Sequence, residues 1–142
     1  MKPRVLLVDD EKEFVDTLGE RMRNRDLDVN TATSAAEALA LTSEKSFDAI
    51  VLDLMMPGMD GIEALKAIKA TQPEMQVILL TGHGSLEKGI QAMKLGAMDF
   101  LEKPADVDVL TEKIKAAQAD KMIIVEKRLE EKIKHIMNVK GW

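Results

Sequence analysis

Residues 6–11 read LLVDDE, an apolar run cut off by two aspartates and a glutamate. The run begins at Val5 and is apolar at every position through Val8. That is the pattern of a strand covered on both faces, as in a parallel sheet. The adjacent carboxylates of Asp9 and Asp10 repel, and each raises its neighbour's pKa. Such a cluster at the end of a buried strand needs an opposite charge nearby.

Working outward from this strand, short apolar runs alternate with amphipathic stretches. RVLLV (4–8), DVNTAT (28–33), DAIVLD (48–53), QVILLT (76–81) and MDFLEK (98–103) predict strands. Between them, 11–25, 34–45, 62–72 and 85–97 predict helices, and a last helical pattern starts near Asp106 and runs almost to the end. Phe14, Val15, Leu18 and Met22 mark the inner face of the first helix. Ser34, with Glu37 three residues later, forms a capping-box pattern. Repeated βα alternation predicts an α/β fold, a doubly wound parallel sheet with helices on both faces.

In such a sheet the functional edge lies beyond the carboxyl ends of the strands. Strand one ends in Asp9 and Asp10, strand three in Asp53, strand four in Thr81 and strand five in Lys103. Three carboxylates, a hydroxyl and an ammonium are thus expected at one edge. A hard divalent cation is the economical partner for clustered carboxylates. Mg²⁺, which keeps waters and takes one or two carboxylates plus a phosphate oxygen, suits the set. Lys103 and Thr81 would then meet the phosphate.

Composition narrows the alternatives. The 142 residues carry a net charge of −5, which leaves no global basic footprint for nucleic acid. There is no cysteine, which excludes disulfides, thiolate metal sites and cysteine nucleophiles. The opening MKPRVLLVDD is too short for a signal peptide, and no stretch is long enough to span a membrane, so a cytoplasmic location is expected. A dehalogenase-type phosphatase would need a second aspartate two residues after the first, where Met55 stands. TGHGSLEKG (81–89) lacks the third glycine of a dinucleotide fingerprint, since Glu87 occupies that position.

The segments LLVDDE, DAIVLDLMMPGMDG, VILLTGHG and GAMDFLEKP together resemble the receiver domain of two-component response regulators. The resemblance covers about residues 3–119. It implies a flavodoxin-like sheet of strand order 2-1-3-4-5. It also implies that Asp53 accepts a phosphoryl group from a sensor histidine kinase or a histidine phosphotransfer protein. Asp10 and Asp53 would ligate Mg²⁺ directly, Asp9 through water, and Met55 through its backbone carbonyl. Lys103 would pair with the acyl phosphate and Thr81 would hydrogen-bond it. Phe100 would change rotamer, Pro104 would follow a cis peptide bond, and the surface of helix 4, strand 5 and helix 5 would shift toward a downstream protein target. Such a receiver turns over no external metabolite. His83 would stand at the rim, either shaping water access or simply exposed, and His135 reads as a solvated helix residue.

The division expected is a receiver at 1–119 and a helical extension at 120–142. Met122, Val125, Leu129, Ile133 and Ile136 fall on one helical face, rotated from the earlier stripe of Val107, Leu110, Ile114 and Ala117. The extension is expected either to project, or to break near Ala119–Lys121 and fold back. A projecting stripe predicts a homodimer through the C-terminal helix; a helical linker is the other reading. An N-terminal fragment of a larger transcriptional activator, and a pseudo-receiver serving only assembly, are the alternatives for the whole chain.

Overall fold

The computed structural model describes residues 1–56, 61–82 and 86–139. Five strands and five helices alternate. They are β1 (Arg4–Val8), α1 (Lys12–Arg23), β2 (Asp28–Ala32), α2 (Ala35–Glu44), β3 (Ala49–Asp53), α3 (Gly61–Thr71), β4 (Gln76–Thr81), α4 (Leu86–Lys94), β5 (Asp99–Glu102) and α5 (Val107–Val139). All paired strands are parallel, in the order β2-β1-β3-β4-β5. The expected doubly wound architecture and strand order are both observed.

The apolar runs divide residue by residue between the two faces, because successive side chains of a strand point to opposite sides. Leu6 and Val8 join Ile50, Leu52 and Leu79 in one cluster, beneath Ala38, Leu65, Ile68 and Ala92 of α2, α3 and α4. Val5 and Leu7 join Val51, Ile78 and Leu80 in the other, beneath Val15, Leu18 and Met22 of α1 and Leu110, Ile114 and Ala117 of α5. Every residue of β3 is buried. With both faces committed, chemistry is left to the ends of the strands.

Two local devices set how the elements enter. Ser34 Oγ accepts from the backbone N–H of Glu37 at 3.1 Å, so α2 begins where the capping pattern placed it. The Glu37 carboxylate reaches past the cap to the N–H of Thr33 at 3.2 Å. At the start of α3, Gly61 donates its N–H to the Leu54 carbonyl at 2.8 Å. A β-carbon on Gly61 would lie 2.4 Å from Leu54 Cα, so only glycine lets this helix approach the backbone that follows Asp53.

α5 is one unbroken helix of 33 residues, about 50 Å long at 1.5 Å per residue. Its first half is packed, with Leu110, Ile114 and Ala117 fully buried. Of the two courses open to the extension, it projects. Residues 125–138 are all exposed. Lys121 Nζ donates to the Phe47 carbonyl, and Arg128 pairs with Glu74 at 2.9 Å, which ties one side of the helix to the rim of the body.

Gly61→Ala is expected to destabilise the fold by about 3 kcal/mol, because the added methyl meets backbone rather than a movable side chain. Urea denaturation monitored by far-UV circular dichroism measures this; a loss below about 0.5 kcal/mol would show that the α3 entry has slack the geometry does not reveal.

Candidate functional site

β1 and β3 are neighbours in the sheet, and each ends in a carboxylate. Asp53 is the last residue of β3, and Asp9 follows the last residue of β1. One ligand oxygen from each of Asp9, Asp10 and Asp53 can be chosen so that all lie within 4.8 Å of one another. Asp9 and Asp53 are buried, while Asp10 is exposed. Burial of the first two follows from β1 and β3 being inner strands, flanked on both sides by other strands.

Lys103 supplies the counter-charge. It lies one residue past β5, and its backbone N–H donates to the Thr81 carbonyl at 2.7 Å. That bond carries the side chain back across the ends of the inner strands. Its Nζ stands 2.6 Å from Asp9 Oδ2 and 3.7 Å from Asp53 Oδ2. Asp9 Oδ2 is buried, and the Lys103 ammonium is the group that offsets its charge. Desolvation pushes the Lys103 ammonium down, but Asp9 and Asp53 more than offset it and hold its pKa above the ordinary lysine value. The ammonium also sits 4.5 Å from the ring centroid of Phe14.

Backbone amides hold the carboxylates in place. The Glu11 N–H donates to Asp9 Oδ1 at 3.0 Å, and the Met55 N–H to Asp53 Oδ1 at 3.2 Å. Burial is the main reason the Asp53 pKa is raised from 3.8 to about 6. The Met55 amide and Lys103 pull it down, while the charges of Asp9 and Asp10 push it up.

The remaining residues expected at the site lie around this core. Thr81 ends β4 fully buried, one step beyond Leu80, which is in register with Asp53. Its hydroxyl lies 3.5 Å from the Gly82 carbonyl, a long contact. The Met55 side chain is exposed, and Lys88 Nζ of α4 approaches its Sδ at 3.4 Å. Phe100, half-buried on β5, rests its ring on Gly89 of α4, where a β-carbon would come within 2.5 Å of Phe100 Cε2. The Lys103–Pro104 peptide bond is cis. His83 lies outside the described residues. His135 is exposed on α5.

Four contributors were not singled out as site residues in the sequence. Phe14 carries an ordinary core-face signal, yet its ring lies against the Lys103 ammonium. Lys88 and Gly89 sit in an amphipathic helix, and only the approach of α4 to β5 and to the segment after β3 brings them to Phe100 and Met55. Gly61 closes the DAIVLDLMMPGMDG segment that carries the resemblance, but nothing in the sequence showed why glycine is needed there.

Residues 5–115 match the sequence model of the response regulator receiver domain. The chain belongs to the response regulator receiver family. Receivers are the phosphorylation-switched signalling modules of two-component systems. This receiver is 39% identical over 116 residues to the transcriptional regulatory protein FixJ of Bradyrhizobium diazoefficiens, a match covering 82% of this chain and 57% of FixJ. It is 39% identical over 115 residues to the transcriptional regulatory protein ZraR of Salmonella typhimurium, covering 81% of this chain and 26% of ZraR. The chain therefore spans little more than half of one relative and about a quarter of the other. A crystal structure of a response regulator receiver domain protein from Clostridium thermocellum superposes with a TM-score of 0.83 at 35% identity, covering 86% of this receiver and 98% of that chain.

The donor set fits a hard divalent cation. Three carboxylates face one ammonium, which leaves excess negative charge where waters and a phosphate oxygen could complete an octahedron. Without metal, the cluster should work against the fold near neutral pH. A carboxyl whose folded pKa lies above its ordinary value stabilises the fold while protonated. That contribution is whole below about pH 4 and is lost as the pH rises through about 6. In chelator, Asp53→Asn is therefore expected to be more stable than the parent at pH 7.5, by about 3 kcal/mol, and to differ little at pH 4. Urea titrations at both pH values check this; an equal difference at the two would show that Asp53 does not carry the strain.

Proposed function

We propose that Asp53 takes the phosphoryl group, with Asp9 and Asp10 holding Mg²⁺ beside it. The observation that carries this reading is the buried Asp53 carboxylate, with two further carboxylates in ligating reach and a lysine ammonium 3.7 Å away. Asp10 and Asp53 would ligate the metal directly, Asp9 through water, and Met55 through its carbonyl. When bound, Mg²⁺ neutralises charge on the transferring phosphoryl oxygens.

The chain's own residues then divide the work. An Asp53 oxygen forms the bond to phosphorus as the bond to the donor's imidazole nitrogen breaks, and the electron pair leaves on that nitrogen. The Met55 amide orients the carboxylate for attack. Lys103, already anchored by Asp9, pairs with a phosphoryl oxygen and offsets the added charge. Hydrolysis returns the carboxylate and releases phosphate. Thr81 moves toward the phosphoryl group and Phe100 fills the space behind it, so that the α4-β5-α5 surface changes for a downstream protein. Before that change the Phe100 ring rests against α4, in the space left because residue 89 is glycine.

On this reading the donor is a sensor histidine kinase or histidine phosphotransfer protein, and the chain catalyses only its own phosphorylation and dephosphorylation. On the same reading residues 1–119 are the receiver and 120–142 an extension, helical as far as Val139. None of the described helices is long and apolar enough to cross a membrane, and the setting we propose is the cytoplasm. FixJ and ZraR are named transcriptional regulators, so contact with DNA fits the alternative, a receiver within a larger activator. For these 142 residues, at a net charge of −5, we propose no direct contact with nucleic acid.

Incubation with acetyl phosphate and Mg²⁺ is expected to add one phosphate by intact mass. Asp53→Asn should abolish the adduct, chelation should prevent it, and Asp10→Asn should weaken Mg²⁺ affinity at least tenfold. Phosphate carried by the Asp53→Asn variant would assign the acceptor elsewhere. An unmodified parent chain would favour a pseudo-receiver that serves assembly.

A further inference from the structure

The first turn of α1 carries an aromatic ring where the core asks only for an apolar side chain. Phe14, Val15, Leu18 and Met22 share the inner face of that helix. Val15, Leu18 and Met22 are buried against the sheet, whereas Phe14 is only half-buried. The chain has three phenylalanines and no tyrosine, and this one lays its ring against the Lys103 ammonium, 4.5 Å from Nζ to the ring centroid. An aliphatic side chain would fill the same space. A ring adds a negative face, and its pull on a cation is stronger where water is kept away. The Lys103 side chain is 19% exposed, so the contact is largely sheltered.

Three groups meet at Lys103 Nζ: Asp9 Oδ2 at 2.6 Å, Asp53 Oδ2 at 3.7 Å and the Phe14 ring. A lysine ammonium is a compact charge on a flexible four-carbon stem, so its position is set by what surrounds it. Asp9, the nearer carboxylate, holds it off the residue assigned to accept the phosphoryl group. To pair with a phosphoryl oxygen on Asp53, the ammonium shifts away from Asp9. An ion pair with one carboxylate weakens along that path. The attraction of a ring face is broad and acts on a cation anywhere within about 6 Å of the centroid, so it covers both ends of the path.

We propose that Phe14 is a positioning residue for phosphoryl transfer, whose ring face holds the Lys103 ammonium between Asp9 and Asp53 and keeps it there as it shifts toward the phosphoryl group. This rests on the reading of Asp53 as the acceptor.

Two measurements test it. The first needs neither metal nor phosphate. In chain labelled with ¹³Cε-lysine, the Lys103 Hε resonances, assigned by their loss in Lys103→Arg, should lie upfield of the other lysines because of the ring current. They should return to the ordinary position in Phe14→Leu and stay upfield in Phe14→Tyr. An ordinary position in the parent would overturn the contact and the proposal with it. The second is the rate of phosphorylation by acetyl phosphate at saturating Mg²⁺, followed by intact mass. Replacing Phe14 site-specifically with phenylalanines of increasing fluorine content drains the ring face of negative charge at nearly constant shape. The rate should fall stepwise, by about fivefold for pentafluorophenylalanine, with Phe14→Leu as slow and Phe14→Tyr close to the parent. Equal rates across the fluorine series would refute the positioning role while leaving Asp53 as acceptor. A parent chain that takes up no phosphate would overturn both readings, even with the upfield resonances in place.

Discussion

Lys103 holds the site together by standing between two buried carboxylates, 2.6 Å from Asp9 and 3.7 Å from Asp53. An unpaired charge in such a place would cost several kcal/mol, and two like charges would cost more. One ammonium relieves part of that cost and leaves a net negative cluster, the kind of charge a hard divalent cation would balance. The Asp53 pKa is raised first by burial and then by the neighbouring charges of Asp9 and Asp10, which Lys103 only partly offsets. Much of the surrounding structure serves this contact: β5 at the sheet's edge, the bond from the Lys103 amide to Thr81, and the Phe14 ring against the ammonium.

The route from this edge to the outer surface is short. Thr81 and Phe100 lie on paired strands, and Phe100 meets α4 through the gap that Gly89 leaves. Lys88, the residue before that glycine, reaches Met55 just beyond Asp53. A change at Asp53 thus meets α4 from two directions, by way of Met55 and by way of β4 and β5. Packed side chains of this kind shift between discrete arrangements rather than deforming smoothly, which suits a switch.

α5 joins two environments in one continuous helix. Leu110, Ile114 and Ala117 are sealed against the sheet, whereas the apolar residues from Met122 onward face outward on another side. The two stripes differ in direction because the interval between them does not keep the phase of either repeat on a helix of about 3.6 residues per turn. Arg128 and Lys121 fasten the junction to the body, so the outer stripe has a defined direction relative to the receiver.

Several features were legible from residues alone. Short runs that are apolar at every position and bounded by turn signals read as inner parallel strands, and βα alternation then places helices on both faces. Because the chain reverses at the carboxyl ends of those strands, Asp9, Asp10, Asp53, Thr81 and Lys103 could be assigned to one edge without coordinates. The rotated stripe of the last helix was equally plain, since helical phase is a local property. Tertiary structure alone decided the rest. That Lys103 reaches Asp9 more closely than Asp53, that Phe14 lies against its ammonium, and that Gly61 and Gly89 are required by contact with Leu54 and Phe100 depend on distances between elements far apart in sequence. Whether α5 breaks or runs on was also decided there. A helical pattern permits both, and the contacts of Lys121 and Arg128 with the body accompany the straight course.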